Sequence, residues 1–185
     1  MSIDFFRSGL KPIAVCSPRS FKLVKSYGAE EVFDYNSPDC ASNIRSYTKN
    51  NLKYALDIIT NIASMKLCYD AIGRRGGKYT GLELLPDHSH LRKSVAPSWV
   101  MGISIFGKEL ELSGGYERPP NPGHRLFGKK WFATMQRLWD EGKIKPHPIR
   151  ACEGGFEGVL KGVNVLRGGK VVGEKLVYRL RETAL

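Results

Sequence analysis

The chain has 185 residues, of which 42% are hydrophobic and 25% charged, enough for one ordinary domain with a real core and hardly for two. Its 29 Lys and Arg against 18 Asp and Glu give a formal charge of +11, but these cations are spread along the chain. We therefore expect a solvated basic surface, with an anionic cofactor or a phosphopantetheine-bearing carrier as the alternative explanation of the charge. We expect no nucleic-acid partner.

Residues 11–60 alternate strand-length apolar runs with helical patterns. The runs are 12–16, 31–35 and 54–60, and the helical patterns are 17–27 and 37–49. Gly28 stands where the first helix should end. Strands alternating with helices of this length predict a parallel sheet with right-handed crossovers, whose chemistry lies at the carboxyl ends of the strands.

Before this segment no glycine-rich G-x-G-x-x-G turn can be read upstream of Pro12. In a Rossmann-type fold that turn follows a central first strand and holds the pyrophosphate on its backbone N–H groups. We therefore expect an α/β fold that lacks the first strand and turn, with two strand edges facing a gap. The gap could close directly, be filled by a partner copy, or leave the chain unstable, and we favour rearrangement or a homodimer.

Three segments resemble the cofactor-binding half of a zinc-independent medium-chain dehydrogenase/reductase: PIAVCSPRSF, KSYGAEEVFDY and YTKNNLKYALDIITN. Within that superfamily the chain is most similar to the trans-acting enoyl reductases of fungal polyketide synthases, from about Ser8 to Leu180. The resemblance implies a truncated protein. Residues 1–145 would form a truncated nucleotide-binding domain, and residues 146–185 would be a helix and strand left from the catalytic domain.

The resemblance also implies cofactor contacts at the ends of the first two strands. Ser17 and Arg19 offer a hydroxyl and a guanidinium with no acid beside them, which favours the 2′-phosphate of NADP over NAD. Tyr35 resembles a position against the adenosine. The plain alternatives stay open: Ser17 as a helix N-cap, Arg19 as a surface residue and Tyr35 as half-buried packing.

Further along, the resemblance implies that Thr60, Leu82 and Phe106 lie near the nicotinamide and that Lys175 points at the cofactor phosphates. Asn61 is equally well explained as the N-cap of a helix over 62–73, and Lys175 as a solvated side chain. Without the glycine turn we expect NADP binding to be weak or lost. The sequence singles out no catalytic residue, although Tyr35, Asp57, His88 and Tyr116 are acids or bases near the strand ends.

The remaining elements are predicted from periodicity. We expect a strand over 78–85, a loop over 86–98, the final Rossmann strand over 100–112 and an irregular segment over 114–125. A helix over 127–141 places an aromatic stripe at a core or interface. A second helix over 156–166 turns Val159, Leu160, Val163 and Leu166 inward, and a last strand covers 175–180.

The four cysteines show no metal-ligand spacing, and His88 with His90 alone is a weak signal, so we expect no metal and reduced thiols. No signal peptide or membrane-length apolar run is visible, which predicts a soluble, cytoplasmic protein without a membrane partner.

Three interpretations of function remain open. The first is a fragment of a trans-acting enoyl reductase, in whose intact relatives NADPH reduces an enoyl thioester of a polyketide intermediate. The second is a repurposed non-redox enzyme, for example a cyclase, that acts on a small-molecule or carrier-bound polyketide. The third is a non-catalytic partner of a polyketide synthase. Enzymatic activity is left uncertain by these alternatives.

Overall fold

The structure is a computed structural model, which describes residues 9–86 and 91–180. Its first unit pairs β1 (Ile13–Cys16) with β2 (Glu31–Asp34) in parallel, so that Cys16 lies opposite Asp34. A 3-10 turn, Pro18–Ser20, and helix α1, Phe21–Ser26, join the two strands. Gly28 follows the helix with φ of 95°, the left-handed conformation predicted for the helix end.

The second unit is a three-stranded parallel sheet in the order β3-β4-β5. Its elements in chain order are α2 (Cys40–Tyr47), β3 (Tyr54–Asp57), α3 (Ile62–Ala71), β4 (Gly77–Gly81) and β5 (Val95–Trp99). Asn61 caps α3, because its side-chain oxygen accepts a hydrogen bond from the backbone N–H of Ser64, and the Ser64 hydroxyl oxygen accepts one from the N–H of Asn61.

The core lies between α3 and this sheet. It contains Met65, Tyr69, Ile72, Tyr79 and Val95, all nearly or fully buried. A smaller buried cluster of Cys40, Ile44 and Ala71 joins α2 to α3.

Arg92, in the loop before β5, caps the C-terminal end of α3. Its guanidinium donates to the carbonyl oxygens of Tyr69 (3.0 Å), Ile72 (2.8 Å) and Gly73 (2.8 Å). A cation on the last carbonyls satisfies acceptors that the helix itself leaves unpaired.

The position of the last strand of this sheet was predicted wrongly. β5 lies at Val95–Trp99, inside the expected loop, and residues 100–112 instead hold a 3-10 helix, Gly102–Phe106, and an isolated bridge from Leu110 to Arg118. Pro97 led to the prediction of a loop here, because proline lacks the N–H that a central strand needs. The backbone polar groups of successive residues in a strand point to alternate sides. Because the carbonyl of Ser94 and the N–H of Val100 bond to β4, the backbone nitrogen of Pro97 points away from β4, where no N–H is needed for the pairing.

The C-terminal part forms a third βαβ arrangement. Helix α4 (Pro122–Asp140) leads to β6 (Ile149–Cys152), α5 (Gly155–Arg167) and β7 (Lys175–Tyr178), and β6 pairs with β7 in parallel. α4 begins earlier than predicted because Asn121 caps it: the side-chain oxygen accepts from the N–H of His124. Gly142 ends it as expected, with φ of 63°.

β6 was not predicted. Of the four residues expected to face inward on α5, Val159 and Val163 are half-buried, whereas Leu160 and Leu166 are exposed. The fully buried positions of the helix are Gly158 and Gly162. The glycines are needed because Tyr178 of β7 crosses the helix there. A Cβ at Gly162 would lie 2.0 Å from the Tyr178 hydroxyl oxygen.

The gap expected in the sheet is present. In the described residues β1 pairs only with β2, and β3 only with β4, so the two sheets do not close onto each other. The rearrangement favoured from the sequence, direct pairing across the gap, is therefore not found. No helix within 9–86 or 91–180 has the length and apolarity needed to cross a membrane.

Candidate functional site

The carboxyl ends of β3 and β4 are tied together by one carboxylate. Asp57, 4% exposed, accepts hydrogen bonds from the N–H groups of Ile59 (2.9 Å) and Thr60 (3.0 Å) on one oxygen. Its other oxygen accepts from the hydroxyls of Ser64 (2.7 Å) and Tyr79 (2.8 Å). This network holds the loop after β3 in one conformation.

Two opposing effects set the protonation of Asp57. Burial would raise the pKa of the carboxyl group, but the four hydrogen bonds outweigh it and hold the pKa below its usual range. Burial together with the neighbouring carboxylate raises the pKa of Tyr79, and the same two causes raise the pKa of Cys68 to about 12. Asp57, weighed as an acid or base, is thus an ionised structural group.

Thr60 joins the two strand ends directly. Its hydroxyl donates to the carbonyl of Asp57 (3.0 Å) and accepts from the N–H of Leu82 (3.0 Å), and its φ of 56° is left-handed. Gly81 makes this approach feasible, since a Cβ there would lie 2.8 Å from the Thr60 methyl carbon. Two predicted site residues, Thr60 and Leu82, are therefore brought into contact.

A second pair of strand ends carries Ser17, Arg19 and Tyr35. Because Cys16 lies opposite Asp34, Ser17 and Tyr35 follow adjacent strands at the same sheet edge. Ser17 precedes the 3-10 turn as an N-cap, but its side chain makes no capping bond. Arg19 is exposed, and Tyr35 is 54% exposed. In the described structure none of these three side chains forms a hydrogen bond or ion pair, so the fold does not use their polar groups.

Phe106 belongs to neither pair of strand ends. It ends the 3-10 helix after β5, is 54% exposed and faces an open groove of about 520 Å³. The groove is lined by Ile103, Phe106, Lys108, Glu109, Leu110 and Arg125. Three of these residues are apolar and three are charged.

A cluster at the end of β5 was missed by sequence reasoning. Arg118 lies over the ring of Trp99, with its guanidinium carbon 4.6 Å from the centroid, and Tyr116 meets Trp99 edge to face at 5.8 Å. The Tyr116 hydroxyl donates to the carboxylate of Glu83 (2.5 Å), which lowers the pKa of Glu83 and raises that of Tyr116. No motif marks these residues, because the bridge from Leu110 to Arg118 brings them together.

Lys175 begins β7 in the C-terminal unit. Its N–H donates to the carbonyl of Pro148 (2.7 Å), and its side chain is exposed. This unit contacts α1, since the Tyr27 hydroxyl donates to the Pro146 carbonyl (2.6 Å) and a Cβ at Gly173 would lie 3.3 Å from Leu23. The chain segment carrying Lys175 is therefore placed beside the helix that follows Arg19.

Metal ligation was expected to be absent. Among residues 9–86 and 91–180 no group of three or more His, Cys, Asp or Glu side chains could hold a metal ion. His88 and His90, the weak candidate pair, lie outside the described residues.

Comparison of the sequence with curated proteins identifies relatives of this chain. No protein-family model matches the chain. The chain is 49% identical to the trans-enoyl reductase RAP2 of Pyricularia oryzae over 181 residues, which are 97% of this chain and 51% of that protein. It is 49% identical to the trans-enoyl reductase FSL5 of Gibberella zeae, covering 96% and 49% of the two chains. The chain is thus homologous to about half of a trans-enoyl reductase.

The chain spans about half the length of the curated relatives it matches. Solved structures show the same fold. The CurF ER cyclopropanase from the curacin A biosynthetic pathway superimposes with a TM-score of 0.69 at 18% identity, and the CurK enoyl reductase with 0.68 at 13%. Each match covers 96% of this chain and 50% of the other. The α/β class with parallel sheets is thereby confirmed.

The other residues considered as acids or bases have different surroundings in this chain. Tyr116 is hydrogen-bonded to Glu83, Tyr35 has no polar partner in the described structure, and His88 is outside it. Of the three described candidates, Tyr116 and Asp57 are each hydrogen-bonded to a second titratable group, as a nucleophile and its base would be, and Tyr35 is not. The partner of Tyr116 is Glu83, and that of Asp57 is Tyr79.

Proposed function

We propose that this chain supplies the nicotinamide-dinucleotide-binding half of a trans-acting enoyl reductase of polyketide biosynthesis. The 49% identity to trans-enoyl reductases along nearly the whole chain carries this proposal. The reaction of such an enzyme is the NADPH-dependent reduction of a carbon–carbon double bond conjugated to a thioester, on an intermediate held by a polyketide synthase. The strand ends described above are where a parallel α/β sheet binds its ligand.

The residues at the end of β1 fit NADP better than NAD. A 2′-phosphate needs hydrogen-bond donors, and Ser17 and Arg19 are donors that the fold leaves unengaged. The carboxylate of Asp34, opposite Cys16 on the neighbouring strand, is engaged by the backbone and side-chain N–H groups of Asn36. Tyr35, exposed at the neighbouring strand end, offers a ring face to the adenosine. Lys175 adds a cation for the phosphates, from a segment that packs beside α1.

At the other end of the cofactor, Leu82 and Phe106 present exposed apolar side chains to the nicotinamide. Thr60 stays a predicted neighbour of the nicotinamide, with its hydroxyl engaged by hydrogen bonds within the fold. We expect it to fix the loop that the nicotinamide passes. The bound nicotinamide supplies the hydride. The chain's own residues bind and orient it, which is a large part of catalysis in such enzymes.

Domain roles and partners follow as proposals. Residues 1–145 form the nucleotide-binding unit, and residues 146–185, whose β6-α5-β7 arrangement is distinct from both other sheets, belong with the catalytic domain. The partner is a polyketide synthase carrying the enoyl intermediate, in the cytoplasm. The homodimer expected from the sequence stays a prediction, which the mass of the chain in solution tests.

The cofactor proposal is tested by calorimetric titration of NADPH and NADH into the wild-type chain and into Arg19→Ala. We expect weak NADPH binding that Arg19→Ala weakens about tenfold, the loss of one charge-assisted contact of about 1.4 kcal/mol. NADH binding should not change, since it lacks the 2′-phosphate. Lys22→Ala, which removes another exposed cation one turn away, is the matched control and should leave both affinities unchanged.

Equal affinity for NADPH and NADH in the wild-type chain would contradict the assignment of Ser17 and Arg19. An equal loss of both cofactors in Arg19→Ala would show that the arginine supports the fold and does not bind the 2′-phosphate.

A further inference from the structure

The fold brings together cations that lie far apart in the sequence. Strands β3, β4 and β5 run parallel, so their amino ends and the loops before them lie at one edge of the sheet. This edge carries a set of exposed cations, which we call the basic edge and define by its six members: Lys49, Lys53, Arg74, Arg75, Lys78 and Lys93.

No neighbouring acid offsets the charge of the basic edge. The sequence has no Asp or Glu in segments 48–56, 71–82 and 91–99. Among residues 9–86 and 91–180, none of the six side chains forms an ion pair. Six unpaired cations equal more than half of the net charge of +11. The solvated basic surface expected from the sequence is therefore uneven, with its charge concentrated at this edge.

Backbone contacts hold the three loops of the basic edge in place. The N–H of Gly73 donates to the carbonyl of Leu52 (2.9 Å), and the N–H of Gly77 donates to that of Ser94 (3.2 Å). Gly76 is left-handed, with φ of 81°, and a Cβ there would collide with the Ser94 carbonyl oxygen. The cations therefore stand on a fixed backbone, close together despite their mutual repulsion.

An aromatic side chain lies beside these cations. A groove of about 360 Å³ opens among the loops, and its lining includes Leu52, Lys53, Tyr54, Arg75 and Lys78. Tyr54, at the start of β3, is 57% exposed. Protein interfaces are enriched in tyrosine, which often anchors the contact, and their rims are polar. The basic edge thus combines a candidate anchor with a charged surround.

The basic edge lies away from the proposed cofactor site. β4 has five residues, and a strand rises about 3.3 Å per residue, so its two ends are about 16 Å apart. A partner docked at the amino ends would leave Thr60 and Leu82, at the carboxyl ends, open to cofactor and substrate. An enzyme that acts in trans needs both properties, because it must bind the synthase while its catalytic site receives the intermediate.

The spread of the cations favours an extended partner over a small anion. Neighbouring strands are about 4.8 Å apart, so the three loops span about 10 Å, and one small anion cannot meet all six cations. A protein surface with several carboxylates can. Complementary charge of this kind steers association and fixes orientation.

We propose that the basic edge docks this chain on an acidic surface of the polyketide synthase, outside the synthase's carrier domain. The carrier is excluded as the docking partner because it must deliver the intermediate to the opposite edge of the sheet. The inference rests on the proposed function in naming the synthase, whereas the surface is argued from its unpaired charge and from Tyr54.

The test measures binding of the full 185-residue chain to one purified synthase by biolayer interferometry. The synthase is the one, from the organism that makes this chain, whose product changes when the gene for the chain is deleted. We expect binding at low salt that survives removal of the carrier domain. It should weaken at least tenfold in about 0.5 M NaCl, because salt screens exposed charges.

Two triple variants separate the basic edge from net charge. The test variant reverses three of its cations: Lys53→Glu, Arg75→Glu and Lys78→Glu. The control reverses three exposed lysines of α4 and α5: Lys129→Glu, Lys130→Glu and Lys161→Glu. We expect the test variant to bind at least tenfold more weakly and the control to change affinity by no more than about twofold.

A single variant tests the anchor without changing the charge. Tyr54→Ala removes an exposed ring, so the fold should be retained, and circular dichroism checks this. We expect affinity for the synthase to fall about tenfold, mainly through faster dissociation, as for an aromatic residue at the centre of an interface.

Four results would overturn the inference. These are no binding by the wild-type chain, equal weakening by the test and control variants, loss of binding with the carrier domain, and tighter binding to a short DNA duplex than to the synthase. NADPH-induced amide shifts are a separate readout, and the test variant should retain them at Ser17 and Leu82. A chain that docks through the basic edge but shows no such shifts would reject the proposed cofactor-binding function and leave the docking surface supported.

Discussion

Two buried tyrosines in contact, with ring centroids 5.5 Å apart, differ in what their hydroxyl groups do. Tyr79 donates to Asp57, whereas the Tyr69 hydroxyl is buried and has no hydrogen-bond partner among the described residues. A buried polar group without a partner costs about 1–3 kcal/mol, and a hydrogen bond to a charged group contributes about as much. The same chemical change at the two positions should therefore have opposite effects.

We expect Tyr69→Phe to raise the free energy of unfolding by about 1 kcal/mol and Tyr79→Phe to lower it by about 2 kcal/mol. Each variant is the control of the other, since both rings are nearly fully buried in one cluster. Urea unfolding at pH 7, followed by circular dichroism, measures both. Destabilisation by Tyr69→Phe would show that its hydroxyl has a partner, such as a buried water.

Packing between elements explains why α5 has glycines on its inner face. Ordinary helix propensity predicts that Gly162→Ala stabilises a helix by about 1 kcal/mol. The added Cβ would instead meet the Tyr178 hydroxyl, so we expect net destabilisation of about 1–3 kcal/mol.

The double variant with Tyr178→Phe separates the two effects. Removing the hydroxyl relieves the closest contact, while the ring carbon at 2.9 Å still crowds the Cβ. Part of the loss should therefore be recovered in a double-mutant cycle measured by urea unfolding. If Gly162→Ala is stabilising on its own, β7 does not cross α5 where the structure places it.

At the level of elements, the sequence was informative wherever periodicity and capping agreed. The strands at 12–16 and 31–35 and the helix capped by Asn61 lie within a few residues of their expected positions. β5 was missed because a proline on an outward position of an edge strand cannot be told from a loop proline without the ladder. The leucines of α5 were predicted to be buried because apolar residues at helical spacing indicate a buried face. In the structure glycines occupy that face and pack against an aromatic ring.

The candidate site shows the same division. Ser17, Arg19 and Tyr35 could be named because a parallel fold fixes where strand ends lie. The Asp57 network and the cluster of Glu83, Trp99, Tyr116 and Arg118 could not, because they depend on contacts between residues far apart in the chain. Such contacts leave no local pattern.

For the molecule as a whole, the two sheets present two different edges to a ligand. The carboxyl ends hold the proposed cofactor residues, and the opposite edge holds a groove of about 360 Å³. That second groove is lined in part by Asn50, Asn51, Lys53, Arg75 and Lys78, and its cations make it the natural competing site for an anion. If this chain is the cofactor-binding half, NADPH must bind at the carboxyl ends of the strands and not in this second groove.

The most direct test is an NMR titration of the isotopically labelled chain with NADPH, which detects even millimolar binding residue by residue. We predict that amide shifts concentrate at Ser17, Arg19, Tyr35, Leu82 and Phe106, with Asn51, Lys53 and Arg75 unchanged. Shifts confined to the groove at the opposite edge, or no shifts at millimolar NADPH, would contradict the assignment of this chain as the cofactor-binding half of a trans-enoyl reductase.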